Sequence, residues 1–288
     1  MIGAGMIITE DELSALAVGH DILTIGMRAD EVRRGLHGAT TTFLRVADVD
    51  AAPGAPVVVP AGARELRIVG IPLSVEAAVA RVDEVCAAAG QAPVSAFSLA
   101  DLEELSAREQ TTLRGLLERL EAAGLELVAE APFDLLRDPR RSVEEVNIAG
   151  LTLARLTIHR PPAVDGPALL ARIAALQRQV AVIRAFAPLP RRPDPAVPTT
   201  GYDDIKRVAL ARLYLESIPS IQVDWSLYGP KLAQVALTVG ADDVDGVSAI
   251  DDTSQGRRRA PVEEIQRHIR AAGLEPIERN GRFDLLSR

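Results

Sequence analysis

The sequence contains few cysteines, few aromatic residues and a deficit of basic charge. Cys86 is the single cysteine among 288 residues, so the chain cannot form an internal disulfide bond or supply several thiolates to one metal cluster. Aromatic residues amount to 3%, and the core must therefore be built mainly from leucine, valine, alanine and isoleucine. The net charge of −8 argues against a nucleic-acid-binding protein, because such a protein presents a basic surface.

Long apolar segments are missing as well. No run approaches the roughly 20 apolar residues that span a bilayer. The first residues, MIGAGMIITEDEL, are too short and too acidic for a secretory signal. We therefore expect a cytoplasmic protein that binds neither membrane nor nucleic acid. An apolar content of 48% is ordinary for a globular chain of this length, which can form one large domain.

The segment from Thr200 to Ala249 alternates between helix and strand patterns, which indicates two consecutive βα units and a parallel sheet. Over the whole chain we predict strands at 41–50, 65–71, 94–99, 125–129, 153–159, 180–187, 221–225 and 242–249. Helices are predicted between most of them, including 27–36, 74–89, 101–123, a short one starting with a capping box at Ser142, 167–179 and 261–272. Eight strands favour one α/β domain with a (β/α)8-like, TIM-type barrel. Residues 1–42 would form N-terminal helices, 43–249 the barrel, and 250–288 a helix and a strand pair.

Binding sites of such barrels lie at the carboxyl ends of the strands. The polar or aromatic residues expected there are Asp48, Asp50, Asp101, Glu130, Asp134, His159, Arg160, Arg191, Arg192, Asp224, Trp225, Tyr228, Asp245, Asp251 and Asp252. Many of them would serve only as helix caps or solvated loop charges. The candidates for substrate binding are Asp48, Asp101, Asp134, His159, Asp224, Trp225, Tyr228 and Asp245. Trp225 could stack on a ligand ring or equally cap the core. Catalytic residues stay unknown.

No established metal or nucleotide motif occurs in a suitable context. The sequence has no DxDxDG or HExxH pattern, no P-loop and no GxSxG motif. Cys86, alone in an apolar helix, is typical of a small core residue. The triplet Arg257–Arg259 is typical of a solvated loop. We therefore predict no metal site.

Three segments carry a family resemblance: GYDDIKRVALARLYLESIP, DWSLYGPKLAQVAL and GADDVDG, all after Thr200. They resemble the C-terminal part of the radical S-adenosylmethionine enzymes of the futalosine route to menaquinone, above all aminofutalosine synthase and also cyclic dehypoxanthine futalosine synthase. The segment ADEVRRGLHG is similar to the lead-in of the same enzymes. The resemblance covers roughly 29–50 and 65–283, and it implies a barrel and a role in menaquinone biosynthesis.

The chain departs from this family at two places. In the family the first strand leads into a CxxxCxxC loop, whose thiolates hold a 4Fe–4S cluster that binds S-adenosylmethionine; here the sequence is Asp50-Ala51-Ala52-Pro53-Gly54-Ala55-Pro56. The family also has three glycines after the fourth strand, which let the backbone approach the nucleoside cofactor; here Glu130-Ala131-Pro132 follow. The resemblance therefore implies a shortened first βα unit and the loss of both the iron–sulfur cluster and the S-adenosylmethionine site.

Three functions remain open. The first is a cluster-less paralogue that binds a ligand or a partner protein of menaquinone biosynthesis, the ligand being an aromatic carboxylate or a futalosine-like nucleoside. The second is a non-radical enzyme in which carboxylates such as Asp48, Asp101 and Asp224 act as acid and base; a perturbed carboxylate pKa would favour it. The third is a non-catalytic subunit of an active relative, which a large exposed apolar face would favour. A homodimer is open in each case.

Overall fold

A closed barrel of parallel strands forms the centre of the protein in its computed structural model, which describes residues 8–160, 166–192, 200–250 and 262–286. The strands are β1 Thr40–Asp50, β2 Glu65–Val69, β3 Val94–Ser98, β4 Leu127–Pro132, β5 Thr152–Leu153, β6 Leu156–Ile158, β7 Ala185–Pro190, β8 Ser220–Asp224, β9 Asp243–Ser248 and β10 Glu275–Arg279. Neighbours follow the order β1-β2-β3-β4-β6-β7-β8-β9, and β9 pairs with β1 to close the barrel. The short β5 pairs with β4, so β5 and β6 are two pieces of one barrel strand. The predicted TIM-type barrel is confirmed.

Helices surround the barrel. They are α1 Glu10–Val18, α2 Ile22–His37, α3 Val75–Ala89, α4 Leu99–Arg108, α5 Leu113–Ala122, α6 Pro139–Ile148, α7 Gly166–Val180, α8 Gly201–Tyr214, α9 Trp225–Leu237 and α10 Val262–Ala271. Residues 51–64, between β1 and β2, contain no helix, as the shortened first βα unit requires. The core between helices and sheet consists mainly of leucine, valine, alanine and isoleucine, as expected. In the part of the chain that is described, no helix is both long and apolar enough to cross a bilayer.

Side-chain caps fix several helix starts, among them the predicted start at Ser74. Thr9 and Ser74 accept hydrogen bonds from backbone N–H groups of the first turns of α1 and α3. Thr200 and Asp203 form a reciprocal capping box at the start of α8. These polar side chains fix the helix starts because the first N–H groups of a helix have no partner within it.

Other boundaries were predicted wrongly, each for a local reason. The predicted helix 101–123 is two helices, because Gln110 adopts a left-handed conformation with φ 55° and Thr112 caps a new helix. α2 begins at Ile22 and not at Met27, since Asp21 caps it. α6 begins at Pro139 after the cap Asp138, so Ser142 lies inside the helix and not at its start.

Three predicted strands also differ. The strand predicted from Val180 starts at Ala185, because α7 continues to Val180 and a left-handed residue follows it. β4 continues through Pro132, where the sequence suggested a loop. The expected C-terminal strand pair is reduced to one antiparallel bridge between Arg279 and Leu285, and β10 instead pairs in parallel with β1.

The inside of the barrel is unusually polar. Glu65 and Arg67 on β2 are two residues apart, as are Asp243 and Asp245 on β9, so each pair points to one side of its strand. Near the start of β9, Arg279 donates from Nε and Nη2 to Asp243 at 2.6 and 2.7 Å. Further along the barrel, Arg67 donates to Asp245 and Glu65. Ion pairs thus fill much of the interior below the carboxyl ends of the strands.

Candidate functional site

A cavity of about 290 Å³ opens at the carboxyl end of the barrel, among the ends of β2, β3, β4, β6 and β7. Its volume is near the lower end of the range for small-molecule sites, about 300–1,000 Å³. The charged or titratable residues that line it are Arg67, Asp101, Glu130, Arg155, His159, Arg191 and Arg192. Phe97 also lines it and has φ 59°, a left-handed conformation that is costly for an aromatic residue. Such strain is often found at ligand sites.

Two buried arginines, Arg67 and Arg155, form the floor of this cavity and share the carboxylate of Asp245. Arg67 donates from Nη1 and Nη2 to Asp245 at 3.2 and 3.0 Å and from Nε to Glu65 at 2.8 Å. Arg155 donates to Asp245 through Nη1, while its buried Nε has no hydrogen-bond partner among the described residues. Burial alone would raise the pKa of Asp245, but Arg155 and Arg67 hold it well below the usual range. Burial and the charge of Arg67 lower the pKa of Arg155.

Arg191 forms one wall, held between two carboxylates. Its Nη1 donates to Asp224 at 2.6 Å, and its Nε lies 3.0 Å from Glu130 Oε2. Burial alone would lower the pKa of Arg191, but Asp224 and Glu130 raise it above its usual value. The guanidinium is therefore a fixed positive group of the wall.

The rim carries His159 and Arg192, which the backbone holds in place. The carboxylate of Asp134 accepts hydrogen bonds from the N–H groups of His159 and Arg160, at 2.7 and 3.0 Å. The N–H of Arg192 donates to the carbonyl of His159 at 2.9 Å. Within the described ranges the guanidinium of Arg192 forms no hydrogen bond or ion pair.

Asp101 faces this rim from the first turn of α4 and is half-buried. Burial raises its pKa, as do the nearby carboxylates of Glu130 and Glu104, whereas His159 and Arg192 act in the opposite direction. Its side chain forms no hydrogen bond or ion pair in the part of the chain that the structure covers. Among the described residues, the lining thus combines the guanidinium of Arg192 without a partner, the buried Nε of Arg155 without a partner, and the carboxyl group of Asp101 with a raised pKa.

The structure separates the predicted site residues into three groups. Asp101 and His159 line the cavity. The supporting residues Asp134, Asp224 and Asp245 hold the cavity residues in place through the contacts described above. Asp48, Trp225 and Tyr228 lie outside the lining.

Each of those three has a different setting. Trp225 is fully buried, with its ring edge-on to His268 at 5.5 Å between ring centres, so it caps the core and cannot stack on a ligand. The hydroxyl of Tyr228 donates to the carbonyl of Pro190. Burial raises the pKa of Tyr228 above its usual value. Asp48 is exposed near the end of β1. The predicted residues Asp251 and Asp252 and the triplet Arg257–Arg259 lie outside the described residues.

Sequence reasoning missed Arg67, Arg155 and Phe97. For Arg67 a signal existed, because ELRIV alternates charged and apolar residues and places Glu65 and Arg67 on one face of a strand. Arg155 lies where the fifth barrel strand breaks, and no pattern marks that break. The left-handed conformation of Phe97 has no sequence signal either.

The thiol of this chain does not fit an iron–sulfur cluster at the mouth. Cys86 is on α3 and packs against Gly124, shortly before the start of β4, hence near the opposite end of the barrel from the cavity. Burial, with smaller contributions from Glu126 and Asp83, raises the pKa of this thiol to about 11, which disfavours the thiolate that binds metal. In the described ranges no group of three or more histidine, cysteine, aspartate or glutamate residues is placed to hold a metal ion.

The segment after the fourth strand does not fit a close approach by a nucleoside cofactor. Glu130 is paired with Arg191, and Ala131 and Pro132 pair with β6 as part of the sheet. A strand with side chains thus occupies the position where the resembled family has glycines. A cofactor held against bare backbone would meet these side chains.

Comparison with known proteins shows which family and which enzymes this chain is similar to. Residues 191–288 match the family described as the CofH/MqnC C-terminal region. The aminodeoxyfutalosine synthase of Thermus thermophilus is 27% identical over 66% of this chain and 59% of the relative, and that of Streptomyces coelicolor is 34% identical over 30% and 24%. The 5-amino-6-(D-ribitylamino)uracil–L-tyrosine 4-hydroxyphenyl transferase of Methanosphaerula palustris is 28% identical over 52% of this chain and 48% of the relative. The chain thus spans less than two thirds of the length of these relatives.

Solved structures with the same fold are more distant in sequence. Methylornithine synthase superposes with a TM-score of 0.67 over 94% of this chain and 95% of that chain, at 12% identity. The FeFe-hydrogenase maturase HydG of Carboxydothermus hydrogenoformans gives 0.64 over 96% and 77%, at 11% identity. These two structures show only that the folds agree. The evidence for a relationship comes from the sequence matches. The family match and the two aminodeoxyfutalosine synthases support a relationship of this chain to the radical S-adenosylmethionine enzymes of the futalosine pathway.

Proposed function

We propose that the protein is a ligand-binding barrel of menaquinone biosynthesis by the futalosine pathway, which binds a small aromatic carboxylate at its mouth and does not cleave S-adenosylmethionine. The pathway is inferred from the two aminodeoxyfutalosine synthases to which the chain is similar. A cytoplasmic location is part of the same proposal, based on the composition of the chain.

The observation that carries the proposal is the set of unused donors in the mouth cavity. Arg67 and Arg191 are engaged by carboxylates, whereas Arg155 has a buried Nε without a partner and Arg192 is free among the described residues. Carboxylate is one of the oxyanions whose geometry matches guanidinium donors. Phe97 and Leu135 in the lining supply apolar contact for a ring.

The cavity also favours one of the two ligand classes. At about 290 Å³ it can hold a single substituted ring. A futalosine-like nucleoside, with a base, a ribose and an aromatic acid, needs more of the range of about 300–1,000 Å³ that small-molecule sites cover. We therefore place the aromatic carboxylate first.

The second half of the proposal concerns the radical reaction. Reductive cleavage of S-adenosylmethionine needs an electron from a cluster, and a cluster of this family needs three thiolates. The only thiol of this chain is near the other end of the barrel and has a raised pKa. No step of a mechanism is therefore assigned to a cluster.

The test starts with protein purified without oxygen. Iron and sulfide are measured, and calorimetry follows the binding of S-adenosylmethionine, benzoate and inosine to the same sample. We expect substoichiometric iron, no binding of S-adenosylmethionine or inosine, and saturable binding of benzoate that Arg192→Gln weakens at least tenfold. Arg160→Gln is the matched control, because the exposed side chain of Arg160 is next to the rim but outside the cavity lining. Stoichiometric iron together with tight binding of S-adenosylmethionine would overturn the proposal.

An acid–base enzyme is the second candidate, and the setting of Asp101 favours it. A half-buried carboxyl group with a raised pKa and no hydrogen-bond partner in the described ranges, next to His159, can exchange a proton with a ligand. Incubation of aromatic carboxylates with the protein in D2O, followed by NMR, would reveal turnover or hydrogen exchange. This candidate requires that Asp101→Asn abolish the change while benzoate binding stays measurable.

A subunit role is the third candidate, favoured by exposed apolar residues near the mouth. They lie after β1 or at and beyond the end of β2 and are Val58, Val59, Val69, Ile71 and Leu73, each between 39% and 75% exposed. Coexpression with a cluster-bearing relative from the same organism, followed by light scattering, distinguishes a heteromer from a homodimer and a monomer. Ile71→Ser should dissolve the heteromer if these residues form the interface.

A further inference from the structure

We propose that Asp101 takes up a proton when an anion enters the mouth cavity, so that the affinity for anions rises as the pH falls. The inference rests on the proposed function, since it concerns the same ligand site. It adds a linkage between ligand and proton that the family relationship does not contain.

The geometry places Asp101 among opposing charges. Glu104 faces it from its own helix and Glu130 from β4; His159 faces it from the segment after β6 and Arg192 from the segment after β7. Three of these groups, Glu130, His159 and Arg192, line the cavity together with Asp101. A ligand in this small space therefore lies beside the carboxyl group of Asp101.

Binding of an anion changes these charges in a way that favours protonation of Asp101. In the free protein, burial and the two glutamates already raise the pKa of Asp101, while Arg192 and His159 oppose this. A bound anion pairs with the guanidinium group of Arg192, which then stabilises the carboxylate of Asp101 less. The anion also adds a negative charge next to Asp101. Both changes disfavour the carboxylate, so a proton from solvent binds to one carboxyl oxygen. The resulting O–H can donate a hydrogen bond to the ligand, and no covalent bond of the ligand changes.

His159 is the other cavity group that could gain a proton, because a neutral imidazole nitrogen can accept one. Protonation of His159 would also strengthen anion binding at lower pH. The pH dependence of affinity therefore does not identify the group by itself. Separate substitutions of Asp101 and His159 distinguish the two.

The experiment uses benzenesulfonate as the probe, because a sulfonate stays charged over the whole pH range and its own titration cannot contribute. Calorimetry at a series of pH values, in pairs of buffers with different ionisation enthalpies, gives both the affinity and the number of protons taken up. For the wild type we expect uptake of up to about one proton, and a Kd that rises by up to about tenfold per pH unit between the pKa of Asp101 in the free protein and its higher pKa in the complex.

The variants assign this proton. Asp101→Asn should abolish the uptake and flatten the pH profile, with an affinity at high pH equal to or better than that of the wild type, because a repelling charge is absent. His159→Gln should retain the uptake. Glu118→Gln is the control, since Glu118 is an exposed carboxylate on α5 outside the cavity lining.

Different outcomes would refute the proposed function and the role of Asp101. If neither benzenesulfonate nor benzoate binds to the wild type, the proposed function fails. If benzenesulfonate binds without proton uptake, or if Asp101→Asn keeps the uptake of the wild type, only the role of Asp101 is refuted. The wild-type calorimetry tests the linkage even if Asp101→Asn does not fold.

Discussion

Asp245→Asn removes the carboxylate that two buried guanidinium groups share. Asp245 is 2% exposed and pairs with Arg67 through two hydrogen bonds and with Arg155 through one. After the substitution Arg67 keeps its hydrogen bond to Glu65, whereas Arg155 loses the one carboxylate with which it forms a hydrogen bond among the described residues. Removing one partner of a buried ion pair costs about 3–5 kcal/mol, because the remaining charge is left in a poorly solvating interior. We expect a loss of this size in the free energy of unfolding.

Urea denaturation followed by circular dichroism measures this loss. Glu144→Gln provides the matched carboxylate-to-amide control, since Glu144 is 39% exposed and pairs with Arg140 on the surface. The control should change stability by at most about 1 kcal/mol. Adding Arg155→Leu to Asp245→Asn should restore part of the stability, because Arg67 then keeps Glu65 as its partner. A loss below about 1 kcal/mol for Asp245→Asn would refute the view that this ion pair holds the barrel interior.

The carboxylate of Asp245 also determines the direction in which the stability of the fold changes with pH. The folded-state pKa of Asp245 lies far below its ordinary value of about 3.9, so its stabilising contribution is fully present above that value. The contribution is lost progressively as the pH falls from about 4 towards the folded-state pKa. Acid should therefore destabilise the wild type more steeply below about pH 4 than it destabilises Asp245→Asn.

Three further predictions concern residues outside the cavity. Trp225, the single tryptophan, should emit at short wavelength, resist quenching by acrylamide and not respond to benzoate, because it is fully buried against His268; ready quenching would contradict its burial. The rate of alkylation of Cys86 by iodoacetamide should rise with pH until about 11, whereas a plateau near pH 8 would contradict its raised pKa. Gly240→Ala should destabilise the protein by more than about 1 kcal/mol in thermal denaturation, because Gly240 has φ 116° and a Cβ atom there would lie 2.7 Å from Cβ of Arg212; a neutral effect would refute the close packing.

The sequence was sufficient for the barrel because strand and helix patterns repeat in it with recognisable caps. Prediction of helix and strand boundaries failed where one residue interrupts a pattern. Gln110 divides a predicted helix, and the break before Leu156 divides a strand, since turns of this kind depend on backbone conformations that several residue types can adopt. Thr112 and Asp138 were available as cap signals at the two misplaced helix starts.

The candidate site was predictable at its rim but not at its floor. Residues at the carboxyl ends of strands, such as Asp101 and His159, follow from the topology of the fold. Arg67 was missed although ELRIV alternates charged and apolar residues, because a strand that faces a barrel interior usually carries apolar residues. Trp225 illustrates the converse, since position at a strand end does not decide which way a side chain points.

The position of the cavity explains how a ligand site could remain in a chain without the cluster loop. In the resembled family that loop follows β1, but the lining of the cavity starts with Arg67 on β2 and continues to Arg192 after β7. None of the lining residues comes from 40–64, so the segment after β1 contributes no side chain to the lining. The floor is likewise independent of that segment, because Arg67 and Arg155 are fixed by Asp245 on the last barrel strand. The proposed loss of radical chemistry and the proposed anion site are therefore compatible in one barrel.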